Sequence, residues 1–200
     1  MTPAGGPQAD VACHELLVRL AGRLPDRLLW WLREWLANGA HAAVAATLPR
    51  ALLRHRVGLT DGERDLLEAA VGAYGSRRVL DAILTVTEPD EPDARFRPEP
   101  DLDTAALSLL AVARGDAGCV ELRQALRTGG RRPQRVVLVR TEGERPWALA
   151  ATLGRLLRAH GDPTPCVEVL PAEPSAYHRT ALAGSTLLWR RSPERVTAGP

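Results

Sequence analysis

The chain has 200 residues, 45% of them apolar and 25% charged, which suits one large globular domain or two small ones. Its formal charge is only +2, so no global field draws it to nucleic acid or to an anionic membrane. All 26 basic residues are Arg, which excludes a Schiff-base Lys, a Walker A Lys and a kinase strand Lys. Arg cannot stand in for them, because its guanidinium does not deprotonate. A Lys-free, Ala- and Arg-rich composition is expected of a very high-GC genome of actinobacterial type, so Arg abundance in itself carries no functional weight. Three Cys with no CxxC spacing fit a reducing cytoplasm better than a disulfide scaffold. The first ten residues have neither a basic start nor an apolar run, and no secretory signal is expected there.

Residues 1–9 are small, rich in Pro and Gly, and expected to be disordered. Asp10 opens a first helix to about Gly22, with Cys13, Leu16, Leu17 and Leu20 inward and Cys13 a packing thiol. Residues 24–37, LPDRLLWWLREWLA, form the next helix and hold three of the five Trp. At 100° per residue, Leu28, Leu29, Trp31, Leu32, Trp35 and Leu36 share an arc of about 160° and should be buried. Asp26, Arg27, Arg33 and Glu34 lie opposite. Trp30 falls in the middle of that polar face, where it either covers the other half of the chain or anchors a partner. A third helix spans residues 40–56, with a kink or break at Pro49. It ends in the densest basic cluster, Arg50, Arg54, His55 and Arg56, which complements the helix dipole or contacts an anion.

Thr60-Asp61-Gly62-Glu63 is a capping box that opens a helix to about Tyr74. Residues 76–85 read as a short helix running into an extended piece. Residues 88–103, EPDEPDARFRPEPDLD, carry four Pro and seven acidic residues against two Arg, the composition of an exposed loop. A helix follows to about Arg114, and residues 120–127 continue helically. Residues 128–133 form a basic turn. Residues 135–139, RVVLV, are a buried strand, Pro146 opens a helix, and residues 166–170, CVEVL, are a second strand, together a βαβ unit with parallel strands. A short helix at 176–183 leads to a third strand at 186–189. A further strand at 83–87 or 94–97 completes the sheet.

The expected class is therefore mixed α+β: a helical N-terminal part of four to five helices, then a small α/β part with a short, mainly parallel sheet. The expected boundaries are 1–9 for a disordered N-terminus, 10–87 for a helical module and 88–103 for the acidic Pro-rich loop. An α/β module at 104–190 and a flexible tail at 191–200 follow.

In an open α/β sheet, ligands sit beyond the carboxyl ends of the strands. Here that is residues 140–147, with Arg140, Thr141, Glu142, Glu144, Arg145 and Trp147 as candidate ligand contacts. Glu142 and Glu144 would repel a phosphate, and there is no GxGxxG. Cys13 and His14 diverge on a helix, and His160 and Cys166 lack companions, so no metal is expected. Ser175, Ser185, Tyr177 and His178 offer hydroxyls and acid–base groups but no nucleophile elbow. No catalytic residue and no cofactor is assigned. The leading expectation is a cytoplasmic, non-catalytic interaction or regulatory protein acting through exposed aromatic and Arg surfaces, with Trp30, Arg33 and Trp147 as that surface. Its partner is another protein or a second copy, with no membrane. A small α/β enzyme or ligand-binding protein at 140–147 is the alternative. Nucleic-acid binding through residues 60–84, helix–turn–helix in outline, is disfavoured because the second helix is apolar where base edges require polar groups.

Overall fold

The computed structural model describes residues 6–72, 74–130 and 133–192. The outermost residues of the expected loose ends, 1–5 and 193–200, and residues 131–132 of the expected basic turn lie outside the described residues. Five helices come first: α1 (Pro7–Arg19), α2 (Asp26–Ala37), α3 (His41–His55), α4 (Asp61–Val71) and the short α5 (Arg77–Asp81). Then follow β1 (Arg95–Pro98), α6 (Thr104–Gly115), β2 (Cys119–Thr128), β3 (Gln134–Thr141), α7 (Pro146–Ala159), β4 (Cys166–Val169), α8 (Ala176–Ala183) and β5 (Thr186–Arg190). The class is α+β, with a helical N-terminal part followed by the sheet. α1 starts three residues before Asp10, with Pro7 in its first turn, where a missing N–H costs nothing.

Local chemistry accounts for most helix ends. Thr60 and Glu63 form the capping box, with Glu63 N–H donating to Thr60 Oγ1 at 3.3 Å and Thr60 N–H donating to Glu63 Oε2 at 3.0 Å. Asp103 caps α6 and Ser175 caps α8 through their side-chain oxygens. α3 contains Pro49 and still runs as one helix, with Val44, Leu48 and Leu52 of its inner face buried in the core.

The sheet order is β4-β3-β2, with β1 and β5 end to end along the far edge of β2. Among the described residues, only β3 and β4, joined through α7, are parallel; the other three strand pairings are antiparallel. The sheet is thus mixed where a mainly parallel one was expected. The cause is residues 120–127, which belong to strand β2 instead of continuing α6 as a helix. Their Glu, Leu, Arg, Gln and Ala are good helix formers, but hairpin pairing with β3 overrides that preference. β1 lies inside the segment expected to be mostly loop, at the second of the two places, 83–87 and 94–97, where a further strand was expected.

Helices α6 and α7 cover one face of the sheet through Val137, Val139, Leu122 and Val167, and α8 covers the other through Val136, Leu138 and Cys166. Because both faces of β3 are buried, it reads as a continuous apolar run. A second cluster lies among α1–α5 and takes in Trp147 from α7. α2 lies between the two clusters, along the outer edge of β4. Arg33 reaches from it to donate to the Val167 carbonyl at 2.6 Å and to Glu168 Oε2 at 2.5 Å. The edge strand is therefore capped by a side chain, one way in which sheets avoid edge-to-edge association.

Candidate binding groove

The residues marked by the sequence do not converge. Trp30 is 9% exposed, Arg33 4% and Trp147 4%, so none of the three forms a surface. Trp30 lies against α7, where Gly154 leaves room for the indole: a Cβ there would stand 3.2 Å from Trp30 Nε1. The Arg158 guanidinium sits 5.1 Å above the Trp30 ring. Trp147 packs into the helical cluster with its ring centroid 5.6 Å from that of His14. Arg33 is held in the core by Glu168. Burial works against the Arg33 charge, and the Glu168 carboxylate outweighs it, raising the Arg33 pKa above the ordinary guanidinium value.

Residues 140–147 line neither of the two cavities at the N-terminal end of α2. Glu142, Glu144 and Arg145 are exposed, and Arg140 and Thr141 are half-buried. Gly143 is packed so closely on Gly118 that a Cβ at Gly118 would come 2.6 Å from Gly143 Cα. Backbone therefore fills the space beyond the end of β3. The helix-turn-helix outline at 60–84 shrinks as well, because α5 has five residues, a rise of about 7.5 Å. That is too short to lie along a major groove. Arg64 on α4 holds its far end by donating to the carbonyls of Leu80 and Ile83.

Two cavities lie at the N-terminal end of α2. The larger, about 920 Å³, runs between the helical part and the sheet and is lined by Arg23, Asp26, His55, Arg95, Arg127 and Tyr177, among others. Its charges are largely spent. Arg127 pairs with both oxygens of Asp26 and donates to Tyr177 OH at 3.2 Å. Arg23 is tied to Glu63 at 2.5 Å and to the Gly58 carbonyl. Burial pushes the Tyr177 pKa far up, with Cys166 and Glu168 adding to it, so the phenol keeps its proton.

The second cavity, about 600 Å³, is a groove between α2 and α3. Its lining includes Leu28 and Trp31 from α2, Arg50 and Arg54 from α3, and Arg27 and His55. Among the described residues, no carboxylate lines it. Among the described residues, Arg27, Arg54 and His55 make no side-chain hydrogen bond or ion pair, and Arg50 bonds only the Ala46 carbonyl of its own helix. Trp31 is 39% exposed, the only Trp among the exposed large apolar residues. An indole face framed by free cations of one sign can hold an apolar anchor and negative groups together. The groove adjoins the larger cavity at Pro25 and His55, which line both.

The basic cluster at the end of α3 was visible in the sequence, but Arg27 and Trp31 were not. Their signal is spacing: Arg27 and Trp31 on α2, and Arg50 and Arg54 on α3, are both i,i+4 pairs that share a helix face. Trp31→Ala is expected to change folding stability by less than about 1 kcal/mol, whereas Trp147→Ala should cost about 3–5 kcal/mol. Urea unfolding followed by circular dichroism distinguishes the two, and the reverse order would refute this assignment of surface and core.

Among the described residues, no group of His, Cys, Asp and Glu is placed to hold a metal ion, and no helix is long and apolar enough to cross a membrane. No protein family, curated protein or solved structure matches the chain.

Proposed function

We propose that this protein is a non-catalytic, cytoplasmic interaction protein that holds an acidic, extended segment of a protein partner in the α2/α3 groove. One observation carries the reading: Trp31 stands exposed in a groove with Arg27, Arg50, Arg54 and His55 and, among the described residues, without a carboxylate. Trp and Arg are the residues most enriched among interface hot spots. Each exposed Arg–carboxylate pair contributes about 0.2–1 kcal/mol, so three of them select for charge more than they hold the partner. Covering Trp31, Leu28 and Pro25 supplies the apolar part. The cytoplasm fits the three cysteines, which are all free and buried.

A protein segment suits the groove better than nucleic acid. A single strand needs cations that track its backbone over several nucleotides. Here the cationic run ends where the larger cavity begins, since Arg23 and Arg127 are already paired.

The test is fluorescence anisotropy with a fluorescein-labelled Glu-Pro repeat peptide and a length-matched oligothymidine. The peptide is expected to bind, and both Trp31→Ala and the double variant R50E/R54E should weaken it at least about tenfold without changing the melting temperature. No peptide binding would overturn the reading. Tighter binding of oligothymidine that falls steeply with salt would replace it with nucleic-acid recognition.

A further inference from the structure

We infer that the segment taken by the groove is the acidic turn 88–93 of a second copy of this chain. The inference rests on the groove reading above and names its occupant. The turn reads Glu-Pro-Asp-Glu-Pro-Asp. Its prolines are three apart, one turn of polyproline II, and each Glu before a Pro is held extended. In that conformation Pro89 and Pro92 line one edge, Glu88 and Glu91 a second, and Asp90 and Asp93 the third. Grooves lined by aromatic residues are the usual receptors of such segments, because the segment is stiff before it binds. Trp31, Leu28 and Pro25 offer apolar surface for a proline ring, and Arg27, Arg50 and Arg54 offer cations for the flanking carboxylates.

Within one copy, none of residues 88–93 lines the groove. The root of the turn is fixed, with Pro92 packed so closely on Gly22 that a Cβ at Gly22 would stand 2.7 Å from its Cγ. The root also lines the larger cavity, through Pro92, Asp93 and Arg95. Residues 88–91 remain exposed, and among the described residues Glu88, Asp90 and Glu91 have no cation within 4.0 Å. Asp93 stands 4.0 Å from Arg95 of its own chain, so the unpaired acids are those of 88–91. One chain thus presents these acids and an unpaired basic groove next to the same cavity, which the turn reaches through Pro92 and Asp93 and the groove through Pro25 and His55. A two-fold axis near those residues lays each turn over the other copy's groove. The contact is then made twice and the assembly closes as a dimer. The net charge of +2 leaves little repulsion between copies.

The test is sedimentation velocity of the full chain at ~50 mM and ~500 mM salt, a range over which exposed ion pairs become screened. A dimer is expected at low salt, shifting to monomer at high salt. Both R50E/R54E and E88R/E91R should raise the dimer dissociation constant at least about tenfold, and an equimolar mixture of the two should restore a dimer. A wild-type chain that is monomeric at low salt overturns the inference, as does a dimer unaffected by either variant or a mixture that stays monomeric. The Glu-Pro peptide separates the two levels of the argument. A monomer that still binds it loses only the second copy as occupant, and a monomer that ignores it loses the groove reading too.

Discussion

Replacing Arg33 by Ala is expected to cost about 3–5 kcal/mol of folding stability, because it leaves the Glu168 carboxylate buried without its cation. Glu168 has a fully buried side chain and Arg33 one that is 5% exposed. Arg33 meets both carboxylate oxygens, at 2.5 and 3.4 Å, and the Val167 carbonyl at 2.6 Å. Among the described residues, the remaining hydrogen-bond partner of the Glu168 side chain is the Cys166 thiol, 3.5 Å from Oε1 and too weak a donor to replace a guanidinium. Removing both charges should be far milder. The double variant R33M/E168M exchanges the pair for apolar side chains of similar volume, a change that is often neutral or stabilising. Urea unfolding of the three proteins gives the comparison. A loss below about 1 kcal/mol in Arg33→Ala, or no recovery in the double variant, would show that the pair does not carry this energy.

The pair also sets how α2 is turned. The apolar residues of α2 define one arc, and the buried residues Leu29, Trp30, Leu32, Arg33 and Leu36 define another, rotated by about 100°. A helix covered on one side obeys its hydrophobic pattern. α2 is covered on two sides, by α1 and α3 and by α7 and β4, and the second side holds a charge that is tolerable only because Glu168 waits there. That partner is 135 residues away, beyond the reach of any local pattern. With α2 so turned, Trp30 goes in and Trp31 comes out, which is why the exposed tryptophan is one residue away from the one expected. Trp147 misled for a related reason. It starts the sheet-covering helix α7 on its polar side, and that side meets the helical cluster. Elements whose neighbours are close in sequence were easier to read: the capping box, the β3-α7-β4 unit and α8 follow from turn chemistry and period. β2 did not, since its pairing with β3 outweighs residues that favour helix.

Acidification from pH 6.5 towards 4 is expected to weaken the fold by about 3 kcal/mol through His14 alone. Burial pushes the His14 pKa down to about 4, with the Arg33 charge adding to the effect, against an ordinary value of 6.5. His14 lies against Trp147, and its Nδ1 has no hydrogen-bond partner among the described residues. Between these two pKa values the unfolded chain takes up a proton at this position and the folded chain does not. Stability therefore rises with pH across that window and is lost as pH falls through it, reaching a loss of about 2 kcal/mol at pH 5. His178 acts in the same direction. Its pKa is also lowered by burial, Glu168 pulls against that shift, and its Nε2 has no hydrogen-bond partner among the described residues. The carboxylates of Asp103 and Glu121 are held below their ordinary range, Asp103 chiefly by its hydrogen bond to Arg135 and Glu121 by Arg123 and Arg190 against its own burial. They give up their share only at lower pH, so the upper part of the window belongs to the histidines. His14→Leu keeps the site apolar and removes the titration. Unfolding of wild type and variant at pH 7 and pH 5 should show a smaller difference between the two pH values in the variant, by about 2 kcal/mol. An equal difference in both proteins would mean that His14 is protonated in the fold. The helical cluster would then have to open to water at the position where Trp147 is now packed.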